Sequence, residues 1–219
     1  MPKAIVSGDF YWQANTGDRF LIAASDCTGH GVSGAFMSLI GSTLLNKIVL
    51  DKGIVEPDVI LSEIDKEISV SLKQGTNEVR DGMETALCSF DLKNMKLYFA
   101  GAKRPMWVFH KNGNAYEFEE LSASKFPIGG FAEVKEKFFK TYEVQLKRGD
   151  ILYMFTDGIT DQFDMENKKR ISTKRVREFI NGIVHLSFEE QKSSIHSFIS
   201  DWKQHSKQTD DILLVALRM

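Results

Sequence analysis

The chain has 219 residues, with 28 Lys and Arg against 30 Asp and Glu, a formal charge of −2, and 42% hydrophobic residues. That balance excludes a disordered chain, and one domain of this length buries roughly 70% of its unfolded surface. The charge lacks the basic excess of a nucleic-acid binder, and two cysteines, Cys27 and Cys88, are too few for a disulfide framework.

The longest uncharged stretch, Cys27 to Asn46, holds four glycines and five hydroxyl residues, too polar for a membrane span, and the start, Met1-Pro2-Lys3, lacks a basic-then-apolar secretory pattern. The expectation is a cytoplasmic domain without membrane contact. Its first notable acid, Asp9, lies so near the start that the domain reads as the C-terminal part of a longer protein.

Phe20 to Ser25 is an apolar run that predicts a buried strand, ending at Asp26. The glycine turn Gly29 to Gly34 follows. From Ala35 to Leu50, Phe36, Ile40, Leu44 and Ile48 recur every fourth position and predict a helix with that face buried. Pro57 opens a second helix marked by Ile60, Ile64, Ile68 and Leu72, and a polar, mobile connection is expected from Lys73 to Asp81.

The period then changes to two. Strand pairs are predicted at Thr85–Asp91 with Lys96–Ala100, at Met106–His110 with Ala115–Phe118 around Asn112-Gly113, and at Phe138–Leu146 with Ile151–Thr156 around Lys147–Asp150. Two helices follow, Thr173 to Ile183 and one capped by Ser187 with Glu190, and a last strand runs from Ile212 to Leu217. Consecutive hairpins with helices inserted early and late predict an α+β fold, a sandwich of antiparallel sheets flanked by helices.

Four aspartates, Asp9, Asp26, Asp157 and Asp210, stand at strand ends or small-residue turns with no Lys or Arg within two residues. An ionised carboxylate near a core edge is costly without a cation, and several converging on one rim would form an all-oxygen site for Mg²⁺ or Mn²⁺. Turn capping is the alternative for any one of them.

Gly29-x-Gly31-x-x-Gly34 fits a dinucleotide fingerprint, but Asp26 would repel a pyrophosphate and no parallel strand follows the helix. Neither cysteine has the Arg of a cysteine phosphatase six residues on, and no Walker A loop or HExxH motif is present. His30, in the glycine turn, is a candidate to bind phosphate, donate a proton or brace the turn; Lys103 and Arg104 are candidates to steer a phosphate near the rim, with a solvated turn the favoured reading.

Taken together, Ser7–Trp12, Asp26–Met37, Asp81–Met83, Ala100–Ala102 with Pro105, Thr156–Gln162 and Asp210–Val215 resemble the metal-dependent protein phosphatase (PPM) superfamily in its SpoIIE-like bacterial branch. The resemblance implies a phosphatase acting on phosphoserine or phosphothreonine of a regulatory protein, a STAS-type anti-sigma-factor antagonist. It implies two divalent cations, Mn²⁺ or Mg²⁺, and a water between them that attacks phosphorus directly. Asp26 would bridge the ions with help from the Cys27 backbone carbonyl, Asp9 serving one ion and Asp157 and Asp210 the other. Asp211, Gly29 and His30 would stand behind the ligands or near the phosphate. An upstream sensor or receiver domain is implied, and the helix pair 35–72 is a candidate homodimer surface. The rival reading is a catalytically inactive module of the same fold. Leu213 departs from a Thr often found after the closing acid.

Overall fold

The structure, a computed structural model, describes residues 1–74, 76, 78–130, 137–166 and 168–219. One antiparallel sheet runs in the order β1 (Phe10–Asn15), β2 (Phe20–Cys27), β3 (Gly82–Asp91), β4 (Lys96–Ala102) and β8 (Tyr142–Gln145), with β7 (Ile128–Gly129) also paired to β3. The other runs β10 (Leu214–Arg218), β9 (Ile151–Phe155), β5 (Met106–Asn112) and β6 (Ala115–Leu121). Helices α1 (Val32–Asn46, continued by a π-helical turn, Lys47–Asp51) and α2 (Pro57–Ser71) sit early, and α3 (Thr173–Ile183) and α4 (Phe188–Lys203) late.

Alternation along the strands builds the layers, because successive side chains point to opposite faces. Leu21 and Ala23 pack with Leu45, Ile60 and Ile64 of the early helices. Their neighbours Ile22 and Ala24 meet Val108, Leu152 and Met154 of the second sheet. Trp107, Phe109 and Tyr153 point the other way, against Val176, Ile180 and Ile199 of the late helices. Each fully buried Leu, Ile or Phe contributes about 1.5–3 kcal/mol, so three apolar seams hold four layers. This is the expected α+β sandwich.

The Asn112-Gly113 hairpin forms between β5 and β6, with Gly113 at φ 60. The Ser187–Glu190 capping box closes reciprocally at the start of α4. The second helix buries Ile60, Ile64 and Ile68. Within the Lys73–Asp81 connection, residues 75 and 77 lie outside the described residues; Gln74 donates to the Asp81 carbonyl and accepts from the Gly130 N–H.

Three expectations are corrected. Strand β1 precedes the first strand read from the sequence; Trp12 is buried with Phe10 and Ala14 packed on the same side while Tyr11, Gln13 and Asn15 are exposed, a short alternation that the sequence reading passed over. The α1 face turns: Met37, Gly41, Leu44 and Leu45 are buried while Phe36 is 63% exposed. A fourth-residue ladder precesses by about 40° per step in a helix of 3.6 residues per turn, so Phe36 and Ile48 cannot share one narrow face. The continuous helix Val32–Asp51 is, by length and composition, apolar enough to cross a membrane (mean hydropathy 1.3), with one side in the core.

The third correction concerns β8 and β9, read as a hairpin. β8 pairs with β4, and β9 pairs with β5 and β10 in the other sheet. Lys147–Asp150 is an inter-sheet corner. The buried Asp150 carboxylate accepts from the Lys147 N–H at 2.9 Å and from the Lys111 N–H of β5 at 2.8 Å, pulling the chain into the second sheet.

Candidate metal centre

Asp26 lies near the end of β2, on the face of Ile22 and Ala24, so its carboxylate emerges where the seam between the sheets opens. Asp157 begins a 3₁₀ turn (Asp157–Ile159) just after β9, on the opposite sheet. The β2–β3 register sets Glu84 across from Asp26. Carboxylate oxygens of Asp26, Glu84 and Asp157 lie within 4.8 Å of one another.

A cation already stands among them. Arg104 Nη2 is 2.6 Å from Asp26 Oδ2, 2.7 Å from Asp157 Oδ2 and 2.7 Å from Glu84 Oε2. The expected solvated turn at Lys103-Arg104 is therefore wrong for Arg104, which is 9% exposed. The reason is topological: between β4 and β5 the chain crosses from one sheet to the other at the open seam. Lys103, at φ 60, turns the backbone there, donating its N–H to the Ser124 carbonyl, and its Nζ meets Glu84 at 2.8 Å on the rim.

Asp9 precedes β1, and its Oδ2 accepts from the Thr156 hydroxyl at 2.5 Å, joining the sheets beside Asp157. Burial pushes its carboxyl up to about 6; the Thr156 hydrogen bond opposes this, and Asp211, Asp210 and Asp157 add to it. Burial pushes Asp26 further, to about 8, against the pull of Arg104 and with Asp157, Asp9 and Glu84 adding repulsion. Both shifts mark negative charge held in too little water.

Asp210 is exposed on the cleft, its Oδ1 accepting from the Asp211 N–H at 2.8 Å. Asp211 points inward instead: its buried carboxylate accepts from the N–H groups of Lys3 at 2.6 Å and Gly8 at 2.8 Å, anchoring the segment before Asp9. A Cβ at Gly158 would collide with the Asp211 carbonyl, so only glycine lets the Asp157 turn and the Asp210-Asp211 segment meet.

The glycine turn serves a similar close approach. Gly29 has φ +84, and a Cβ at Gly34 would stand 2.5 Å from the Gly29 carbonyl and 2.9 Å from the Gly8 Cα. The turn thus packs backbone on backbone against the segment carrying Asp9, which accounts for the glycine spacing without a nucleotide. The Cys27 carbonyl faces Gly8 in the same junction. His30 is exposed on the cleft, with its carbonyl accepting from Ser33 Oγ at 3.3 Å.

The cleft, about 340 Å³, gathers Asp26, Glu84, Asp157, Asp210, His30 and Arg104. Both thiols are buried with pKa pushed up, Cys27 by burial, Asp26 and Asp9 and Cys88 by burial alone, so neither supplies a thiolate near neutral pH. Hard carboxylate oxygens around a point already holding positive charge fit a divalent cation of the Mg²⁺ or Mn²⁺ type.

Sequence reasoning missed Glu84 and the place of Arg104. Glu84 left a trace, as the only charge in the run Gly82–Phe90. Arg104 left none, since its partners Asp26 and Asp157 lie 78 and 53 residues away and even Glu84 lies beyond a whole β-strand.

Residues 16–219 match the family model of stage II sporulation protein E (SpoIIE). The chain belongs to the SpoIIE family. Stage II sporulation protein E of Bacillus subtilis (strain 168) is 30% identical over 156 residues, 71% of this chain but 17% of that protein's length. The SiaA-PP2C domain of Pseudomonas aeruginosa is similar over the whole chain and 83% of its own, at 27% identity and a TM-score of 0.87. A structure holding the PP2C phosphatase domain and part of the regulatory domain of B. subtilis SpoIIE matches at TM-score 0.75 and 24% identity, over 99% of this chain and 59% of that one. The fold of this SpoIIE-family chain is that of the PP2C-type domains it is similar to.

Proposed function

We propose that this domain hydrolyses phosphoserine or phosphothreonine on a regulatory protein, with two divalent cations, Mn²⁺ or Mg²⁺, held by Asp9, Asp26, Asp157 and Asp210, the Cys27 carbonyl, and Glu84. The observation that carries this reading is the cluster of Asp26, Glu84 and Asp157 oxygens within 4.8 Å on the cleft floor. Two such ions, when bound, supply an acidified water and charge compensation for a phosphoryl group.

The chain's own residues do the positioning. Thr156 orients the Asp9 carboxylate, and Asp211 fixes the backbone that carries Asp9. Gly29 and His30 form a lip on which a phosphate can rest. With both thiols protonated, a cysteinyl-phosphate route is closed, which supports direct transfer to water.

A STAS-type anti-sigma-factor antagonist is the proposed substrate, in the cytoplasm. Similarity to the RsbU and RsbW domains of Rv1364c from Mycobacterium tuberculosis, at TM-score 0.69, is in keeping with it. An upstream sensor or receiver domain accords with the greater length of the B. subtilis relative. The exposed apolar residues Val32, Phe36, Leu39 and Leu50 of α1 and its π-helical turn suit a homodimer contact through the helix pair 35–72.

Turnover of a phosphoserine peptide with Mn²⁺ tests the reading. Excess chelator, or Asp26→Asn, is expected to lower the rate at least 100-fold, about 2.7 kcal/mol of barrier. Full activity in chelator would overturn it.

A further inference from the structure

Arg104 holds the place a cation would take. Its Nη2 lies 2.6–2.7 Å from oxygens of Asp26, Glu84 and Asp157, the same three carboxylates that form the acidic cluster. A guanidinium stays charged at every accessible pH, and three carboxylates at a core edge are not tolerated without positive charge. Arg104 supplies such a charge from the chain itself.

Two features make the arrangement exchangeable. Arg104 Nε is buried with no hydrogen-bond partner among the described residues, so the side chain satisfies the carboxylates at the cost of one of its own donors. Its backbone, by contrast, is fixed: the Arg104 carbonyl packs on Gly101 where any Cβ would collide, and Pro105 follows. The cleft that Arg104 lines offers its side chain space to enter while the main chain stays.

We infer that Arg104 is an internal counter-cation that competes with the divalent ions for Asp26, Glu84 and Asp157, so that metal loading requires its side chain to withdraw into the cleft. This rests on the metal-dependent reading above. It makes Arg104 a positioning residue that sets the metal concentration at which the centre fills.

Calorimetric titration of chelator-treated protein with Mn²⁺, comparing wild type with Arg104→Met, provides the test. The variant is expected to bind Mn²⁺ at least tenfold more tightly, to melt at lower temperature without metal, and to gain more in melting temperature when Mn²⁺ is added. In the wild type, phenylglyoxal labelling of Arg104, read by peptide mass, is expected to rise severalfold on Mn²⁺ loading; this needs no variant to fold. Equal or weaker Mn²⁺ binding by Arg104→Met, or labelling unchanged by Mn²⁺, would overturn the competition and leave the metal-dependent reading standing. Absence of Mn²⁺ and Mg²⁺ binding in both proteins would instead remove that reading and this inference with it.

Discussion

Thr156→Val isolates the contact that joins the sheets at the site. The substitution keeps side-chain shape at a position 1% exposed and removes one hydroxyl. That hydroxyl donates to Asp9 Oδ2 at 2.5 Å and accepts from the Leu213 N–H at 2.9 Å. Each buried group left unpaired costs about 1–3 kcal/mol, more when charged, giving about 2–6 kcal/mol together. For a domain whose whole stability is about 5–15 kcal/mol, this is a large fraction, and the melting temperature should fall by roughly 4–24 °C. The deficit should depend on pH. The Thr156 hydrogen bond opposes the burial that raises Asp9 to about 6, so its loss pushes that carboxyl higher still. An acid raised in the folded state binds more protons there than unfolded, so stability falls as pH rises through the interval between the two pKa values. The variant's deficit should therefore be larger at pH 7.5 than at pH 4.5. Urea denaturation of chelator-treated protein at both pH values measures it. A loss under about 1 kcal/mol at both would show that this hydroxyl does not hold the carboxylate, and Thr156→Ser should restore most of the stability.

Metal-free wild type should lose stability steadily from about pH 4 to pH 8, because Asp9 and Asp26 are raised to about 6 and about 8; thermal melts in chelator across that range should show it, and a flat profile would refute the burial argument. With saturating Mn²⁺ the slope should reverse, since ligands must be ionised to bind. Gly158→Ala should cost about 1–3 kcal/mol or more and weaken Mn²⁺ binding, because the new methyl displaces Asp211 and with it Asp210; calorimetry and melting curves report both. Phe36→Ser with Leu39→Ser should change monomer stability by less than about 1 kcal/mol, both side chains being more than 60% exposed, while sedimentation shows any self-association lost.

Much was legible locally. The shift of apolar spacing from four to two residues marks where the early helices give way to strands. Asn112-Gly113 specifies a hairpin because glycine tolerates its φ of 60, and Ser187 with Glu190 caps α4 by a contact three residues long. The isolation of Asp9, Asp26, Asp157 and Asp210 from local Lys and Arg was visible by inspection, as was the absence of a cysteine-phosphatase signature. These features depend on neighbours within a few residues, so the chain alone determines them.

Other features arise only when distant segments meet. Lys147–Asp150 looks like a hairpin turn, yet the buried Asp150 carboxylate and its hydrogen bond to Lys111 send β9 to the other sheet. Which side of α1 is buried depended on where β1, β2 and α2 offered apolar contact. Glu84 joined the acidic cluster through the register of β3 against β2, and Arg104 through a crossing between sheets. The acids appeared to lack counter-charges because the cation that balances them reaches Asp26 across 78 residues of chain. Sequence spacing reports charges that are near along the chain; the sandwich decides which are near in space, because strand register and sheet crossings are set by burial of the apolar seams.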